Sequence, residues 1–138
     1  MSGTPFTVLY ESVLSKIKDY DFLNLEESEI YEVLSDYLRP AIASFRGCKQ
    51  DLTKRNKKKF AVTLTDAEIE ILANYMVIAY LDSNYIRVPL ALKQTLSSKD
   101  FNAFSPANQL EKMVAMREMY RKDTETLLSR YRWVKQDL

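Results

Sequence analysis

Glycine and proline are scarce in this chain, with only Gly3, Gly47 and four prolines among 138 residues. Tight β-turns depend on these two residue types, because glycine supplies positive φ angles and proline supplies a fixed one. A fold made of many hairpins is therefore hard to build, and helices remain. The length corresponds to one domain over residues 1–138.

Histidine is absent altogether. This removes the usual general base, the histidine-dependent nucleophile pairs and the commonest transition-metal ligand. Two isolated glycines cannot form the glycine-rich loops that hold nucleotide phosphates. We therefore expect no enzymatic activity, no catalytic residue, no cofactor and no metal site.

The segment that begins the sequence has neither the basic start nor the continuous apolar run of a secretory signal. No apolar run approaches the ~20 residues that a membrane-spanning helix needs. The single cysteine, Cys48, excludes an internal disulfide and fits a reducing compartment. We expect synthesis in a cytoplasm and no membrane association.

Two helices are predicted in the first third of the chain. Thr4 as N-cap and Pro5 at the first helical position predict a helix over about residues 5–19. A second is expected from Asn24, with Glu27 as its capping-box partner, to a stop at Gly47. Pro40 lies inside that pattern, so we expect either a kink or two shorter helices.

A third helix begins at a capping box formed by Thr65 and Glu68. Its apolar residues cover nearly the whole circumference, which is typical of a helix buried on all sides. Two interpretations follow: it is the central helix of the bundle, or its second face meets another subunit.

The longest periodic segment is expected to begin at Ser105 and Pro106 and to end near Trp133, after a short helix expected over 89–96. Arg117 and Thr124 interrupt its apolar stripe. The pattern as a whole predicts an all-α bundle of four to five helices with a long C-terminal helix. Its expected core comprises Leu14, Ile17, Leu34, Leu38, Ile42, Ile69, Leu72, Met76 and Leu127.

A basic loop is predicted between the second and third helices, over about residues 48–64. Six cations and one anion occupy residues 49–59, giving that window a net charge of +5 against +1 for the whole chain. Such a segment would attract phosphates without reading bases, although solvated loop charges explain it equally well. The candidate residues facing nucleic acid or a channel are Lys54, Arg55, Lys57, Lys58 and Lys59.

Other reactive groups have simpler explanations. The carboxylates, including Glu26, Glu27, Glu68 and Glu70, have the spacing of helix starts and solvated faces. Cys48 follows a helix C-terminus, where the helix dipole would raise the thiol pKa, so we interpret it as structural.

The C-terminal segment, about 131–138, is rich in large apolar residues where most chains fray. Its side chains either dock onto their own bundle or insert into another chain as an anchor. The candidate partner-binding residues are Tyr131, Trp133 and Val134.

A set of residues between about 45 and 131 indicates a family. The set comprises Phe45, Cys48, Asp51, Leu52, Phe60, Leu64, Thr65, 68–73, Met76, Val77, 98–101, 104–110 and Tyr131. In these residues the chain resembles the head-tail connector, or adaptor, proteins in the neck of tailed bacteriophages of Gram-positive hosts. Tyr80 stands where the family pattern has tryptophan.

The resemblance implies a helical bundle that assembles head to tail into a closed ring, usually a dodecamer, beneath the portal protein of the virion. Such a ring extends the channel for the genome and carries the next neck or tail protein. The C-terminal segment would reach into the portal. The basic loop would face either a neighbouring subunit or the passing double-stranded DNA, with non-specific contact only. The alternative is a small helical regulator that binds nucleic acid non-specifically.

Overall fold

The computed structural model describes residues 3–17, 26–83 and 107–133. These residues form five helices: α1 (Phe6–Lys16), α2 (Glu27–Ser35), α3 (Leu38–Ser44), α4 (Asp66–Leu81) and α5 (Ala107–Trp133). In this part of the chain the only β-type pairing consists of two isolated bridges. The all-α bundle with a long C-terminal helix is confirmed.

Helix α4 lies at the centre of the bundle and packs against α1, α3 and α5. Its Thr65–Glu68 capping box forms as predicted, because the Thr65 hydroxyl accepts from the Glu68 N–H. Residues on all sides of α4 are buried, including Ile71, Leu72 and Met76. The interpretation of α4 as a central helix is confirmed, and all nine predicted core residues lie in the core or pack against it.

Helix α1 begins one residue later than predicted, with Pro5 at the N-cap and Phe6 as the first helical residue. The prediction that Thr4 caps this helix is wrong. The Thr4 hydroxyl is buried and accepts a 2.8 Å hydrogen bond from the Leu64 N–H. It therefore ties the start of α1 to the segment that precedes α4.

The predicted second helix is divided into α2 and α3, with a turn at Asp36 and Tyr37. Pro40 lies in the first turn of α3, where its missing N–H is tolerated. Asn24 lies outside the described residues, and the box at the start of α2 uses Glu26, whose N–H donates to the Glu29 carboxylate.

The prediction that Gly47 stops the second helix needs correction. Helix α3 ends at Ser44, and Gly47 does not adopt a positive φ. It therefore does not supply the left-handed conformation of a glycine C-cap.

Helix α5 contains 27 residues and is about 40 Å long. The prediction that Arg117 and Thr124 interrupt the packed face of α5 is wrong, because both residues belong to that face. Thr124 is buried and donates to the Tyr120 carbonyl at 2.6 Å, while Arg117 donates to the Asp82 carboxylate at 2.9 Å. The expected helix at 89–96 and the predicted start at 105–106 lie outside the described residues.

Candidate functional site

The most unusual polar group in the described residues is the carboxylate of Glu68. It lies in the first turn of α4 and has no exposed surface. The capping box fixes its position, because the Thr65 N–H donates to Oε1 at 2.8 Å. A buried carboxylate is costly unless hydrogen bonds replace its lost water.

Three further donors surround the carboxylate. Gln50 Nε2 donates to Oε1 at 2.6 Å, and the Tyr131 hydroxyl donates to Oε2, also at 2.6 Å. The Cys48 thiol lies 3.8 Å from Oε2 and donates to it. Four donors on two oxygens satisfy the carboxylate without a cation.

The hydrogen bonds decide the ionisation of Glu68. Burial alone would raise the pKa of its carboxyl, but the bonds from Tyr131, Thr65 and Gln50 favour the charged form and hold that pKa below its usual value. Glu68 is therefore a carboxylate at neutral pH.

The partners of Glu68 remain protonated. Burial and the hydrogen bond to Glu68 raise the pKa of the Tyr131 phenol well above its ordinary value. Burial, together with the Glu68 carboxylate, raises the pKa of the Cys48 thiol. This agrees with the structural role expected for Cys48, although burial is the larger cause.

Lys49, at the start of the loop segment, also contacts this cluster through Tyr131. Its N–H donates to the Tyr131 hydroxyl at 2.7 Å, and its Nζ donates to the Tyr131 carbonyl at 2.9 Å while lying 4.8 Å from the ring centroid. The cluster of Cys48, Lys49, Gln50, Glu68 and Tyr131 thus joins the 48–50 segment, the start of α4 and the last turn of α5. We call it the carboxylate latch.

Within the described residues, the Cys48, Glu68 and Tyr131 side chains of the carboxylate latch hydrogen-bond to one another. Each Glu68 oxygen has its donors, and neither the phenol nor the thiol ionises near neutral pH. The arrangement is suited to holding α5 in place.

Of the residues predicted to contact a partner, Tyr131 needs correction. Its side chain is 6% exposed and packs edge-on against Phe45, so it is engaged within its own chain and cannot anchor another one. Trp133 is 86% exposed. Two residues turn a helix by about 200°, which places Trp133 on nearly the opposite side of α5 from Tyr131. Val134 lies outside the described residues.

The basic loop forms an ordered turn. The Asn56 carboxamide oxygen accepts from the N–H groups of Lys58 and Lys59 at 2.7 and 2.9 Å. The Phe60 N–H donates to the Thr4 carbonyl at 3.0 Å, and Phe60 itself is fully buried. These contacts attach the turn to the start of α1.

The five candidate cations project from this turn. Lys59 is half-buried, and the other four are exposed. An open hollow of about 370 Å³ lies beside them, lined by Lys54, Arg55, Asn56, Lys59, Phe60 and Ala61. The structure therefore brings three of the five predicted basic residues, Lys54, Arg55 and Lys59, together around one hollow.

Helix α2 carries the opposite charge. Residues 26–36 contain five carboxylates and no lysine or arginine. All five are exposed. They are Glu26, Glu27, Glu29, Glu32 and Asp36.

A second open hollow, of about 380 Å³, lies between α3, α4 and α5 and includes Tyr75, Arg117 and Arg121. Within residues 3–17, 26–83 and 107–133, no group of three or more acidic or cysteine side chains could hold a metal ion. No helix in those ranges is long and apolar enough to cross a membrane.

Sequence reasoning identified Glu68 only as a capping residue. A signal for its burial was present, since Glu68 starts a helix that is apolar on nearly every side. Its donors were not identifiable, because Gln50 and Tyr131 lie 18 and 63 positions away in the sequence.

Comparisons with protein-family models, with curated proteins and with solved structures find no match to this chain.

Proposed function

We propose that this protein is a structural component of a phage neck, which assembles with copies of itself into a ring between portal and tail and extends the DNA channel. The proposal starts from the sequence resemblance to connector proteins. The observation that carries it in the structure is the exposed Trp133 at the fixed end of α5.

The carboxylate latch makes this exposure unusual. Exposure of a tryptophan at a frayed helix end would be ordinary. Here, however, Tyr131 holds the last turn of α5, because it accepts two hydrogen bonds from Lys49 and donates one to Glu68. The turn of α5 that precedes the indole is thus held in place, while the indole itself lies in solvent. Tryptophans presented in this way are frequent anchors of protein interfaces.

A second exposed apolar residue lies on the same side of α5. Met119 is 59% exposed. It lies fourteen residues before Trp133, which is close to four helical turns and about 21 Å along the same side. Under the proposal this side of α5 contacts the portal protein.

The test is native mass spectrometry of the purified chain with and without portal protein. We expect a closed ring on the portal. Trp133→Ala should weaken portal binding about thirtyfold, the loss typical of an interface anchor. The matched control, Arg132→Ala, changes the exposed neighbour and should stay within about threefold of wild type. A chain that remains monomeric and ignores portal would rule out the proposal.

The second candidate is a non-specific nucleic-acid-binding regulator, which the exposed cations of the basic loop favour. It requires the isolated chain to bind duplex DNA, with an affinity that falls steeply as salt rises. A neck subunit should show little affinity for DNA as an isolated chain, so a salt titration separates the two candidates.

A further inference from the structure

The described residues contain two exposed surfaces of equal and opposite charge. The basic loop carries five cations and no anion over residues 54–59, and residues 26–36, which comprise α2 with both of its caps, carry five carboxylates and no cation. The net charge of the whole chain is only +1. The charges are therefore segregated on the molecule.

Among the residues that the structure describes, no ion pair neutralises either surface. The ion pairs formed among residues 3–17, 26–83 and 107–133 are Lys16–Glu70, Arg117–Asp82 and Arg117–Glu118. None of them uses a side chain of either surface. Within the described part of the chain, both sets of charges lack an ionic partner, and all of them except the half-buried Lys59 are exposed.

Both surfaces are also held in place. The turn that carries the cations is fixed by the Asn56 carboxamide and by the bond from Phe6 N–H to the Lys58 carbonyl at 2.9 Å. Glu29, Glu32 and Asp36 follow one another at steps of three and four, which aligns them along one side of α2 and its terminal turn. We call this side the acidic face of α2. Ordered charges lose less conformational entropy on binding than charges on a flexible tail.

We infer that the basic loop of one copy docks on the acidic face of α2 of a second copy. The two surfaces differ, so the contact is heterologous: each copy offers both halves, and the pairing repeats from copy to copy. Complementary charge of this kind speeds association and fixes the orientation of the partners. The inference rests on the proposed function in that it names the surfaces that would join neighbouring ring subunits.

A second copy fits these observations better than a nucleic acid does. The complement to the loop is present on the same polypeptide with the same number of charges. A phosphate backbone would complement the charge of the loop but not that of the five carboxylates of residues 26–36. The cations at 54–59 also have no aromatic residue among them on which bases could stack.

The experiment is a charge swap followed by sedimentation equilibrium. The loop variant is Lys57→Glu/Lys58→Glu, and the α2 variant is Glu32→Lys/Asp36→Lys. All four side chains are exposed, and circular dichroism verifies that both variants fold. The control, Glu111→Lys/Glu125→Lys, changes the net charge as the α2 variant does but reverses exposed residues of α5.

We expect wild type and the control to associate at low salt, with affinity falling about tenfold or more as ionic strength rises from about 0.05 to 0.5 M. Each charge variant alone should associate at least about tenfold more weakly than wild type, and an equimolar mixture of the two should recover to within about threefold. The mixture can recover its affinity only if the loop of one chain contacts α2 of the other, because the reversed charges then meet each other or the unchanged surfaces meet.

Three results would overturn the inference: a wild type that stays monomeric at low salt, variants that associate as wild type does, or a mixture that fails to recover. Duplex DNA bound by wild type and lost in the loop variant, with self-association unchanged, would assign the loop to nucleic acid instead. Rings that form on portal from either variant alone overturn the inference and leave the proposed function standing. If the mixture recovers its association but no ring forms on portal, the inference stands and the proposed function is overturned.

Discussion

The Tyr131 hydroxyl donates a 2.6 Å hydrogen bond to the Glu68 carboxylate, across 63 positions of sequence and within the core of the bundle. The bond joins the last turn of α5 to the first turn of α4. The same hydroxyl accepts from the Lys49 N–H, so three segments meet at one oxygen atom. The end of α5 is therefore held by polar contacts as well as by apolar packing.

Replacing Tyr131 with phenylalanine tests this bond while keeping the ring. The change leaves the Lys49 N–H without its acceptor and Glu68 with one donor fewer. Because hydrogen bonds to buried charges are among the stronger ones, we expect the free energy of unfolding to fall by about 2 kcal/mol. Urea denaturation measures the change.

The matched control is Tyr10→Phe. Tyr10 is also buried, but its hydroxyl has no hydrogen-bond partner among the described residues. Its replacement should change the free energy of unfolding by no more than about 0.5 kcal/mol. Equal losses in the two variants would contradict a special role for the Tyr131 hydroxyl.

Because the pKa of Glu68 is lowered in the folded chain, the free energy of unfolding depends on pH in the acid range. The folded-state pKa of this carboxyl lies below its unfolded value, so the stabilisation is complete above the unfolded value of about 4.3 and is lost as pH falls through the folded one. Glu68→Gln removes that titration. Urea denaturation from about pH 6 to pH 3 should show a shallower loss of stability in Glu68→Gln than in wild type. If stability fell equally with pH in wild type and Glu68→Gln, the lowered pKa of Glu68 would be contradicted.

Tyr131 gives a second pH dependence at the alkaline end. Its phenol pKa is raised in the folded chain, so the stabilisation is complete below the unfolded value of about 10 and is lost as pH rises towards the folded one. Tyr131→Phe should flatten the loss of stability above about pH 10. Denaturation midpoints between about pH 9 and pH 11 measure it, and an unchanged slope would contradict the raised pKa.

The parts of the fold that sequence predicts are those set by local signals. The Thr65–Glu68 box depends on two residues three positions apart, and the apolar circumference of α4 requires burial whatever covers it. The start of α1 was assigned less well, because the local capping signal of Thr4 competes with the Leu64 N–H, 60 positions away, and the distant donor takes the hydroxyl.

The candidate site shows the same limit. The cations of the basic loop are adjacent in sequence, so their grouping was predictable. The carboxylate latch was not, because no local pattern brings Gln50 and Tyr131 to Glu68. Tyr131 was assigned to a partner from its position near the chain end, yet its register on α5 turns it inwards, while Trp133 faces solvent.

Gly3 is expected to resist substitution. Its φ is +106°, and a Cβ there would lie 2.4 Å from the backbone carbonyl oxygen of Phe60, a residue whose N–H donates to the Thr4 carbonyl. Gly3→Ala should therefore lower the free energy of unfolding by about 1–2 kcal/mol. Thermal and urea denaturation measure the loss.

Gly47 provides the control for this prediction. A Cβ at Gly47 would meet nothing within 4 Å, and its φ is not positive. Gly47→Ala should leave stability unchanged or raise it by about 0.5 kcal/mol, because alanine restricts the unfolded chain. A destabilised Gly47→Ala beside an unaffected Gly3→Ala would reverse the assignment of the two glycines.

Asn74 of α4 is a position at which the cost of a buried charge can be tested. The residue is fully buried, its Nδ2 donates to Asp123 Oδ2 at 3.1 Å, and its Oδ1 has no hydrogen-bond partner among the described residues. Asn74→Asp keeps the shape but places a second carboxylate against Asp123 without a donor. We expect a loss of at least about 3 kcal/mol near pH 7, the cost typical of an uncompensated buried charge.

The pH dependence of Asn74→Asp should run opposite to that of Glu68. Burial and the Asp123 carboxylate would raise the pKa of the new carboxyl in the folded chain, so its penalty is present above that pKa and is relieved as pH falls. The variant should therefore approach wild-type stability between about pH 7 and pH 5. Asp123→Asn, at an exposed position, should cost no more than about 1 kcal/mol. An Asn74→Asp variant as stable as wild type near neutral pH would contradict this prediction, because the new charge would then have a compensating partner.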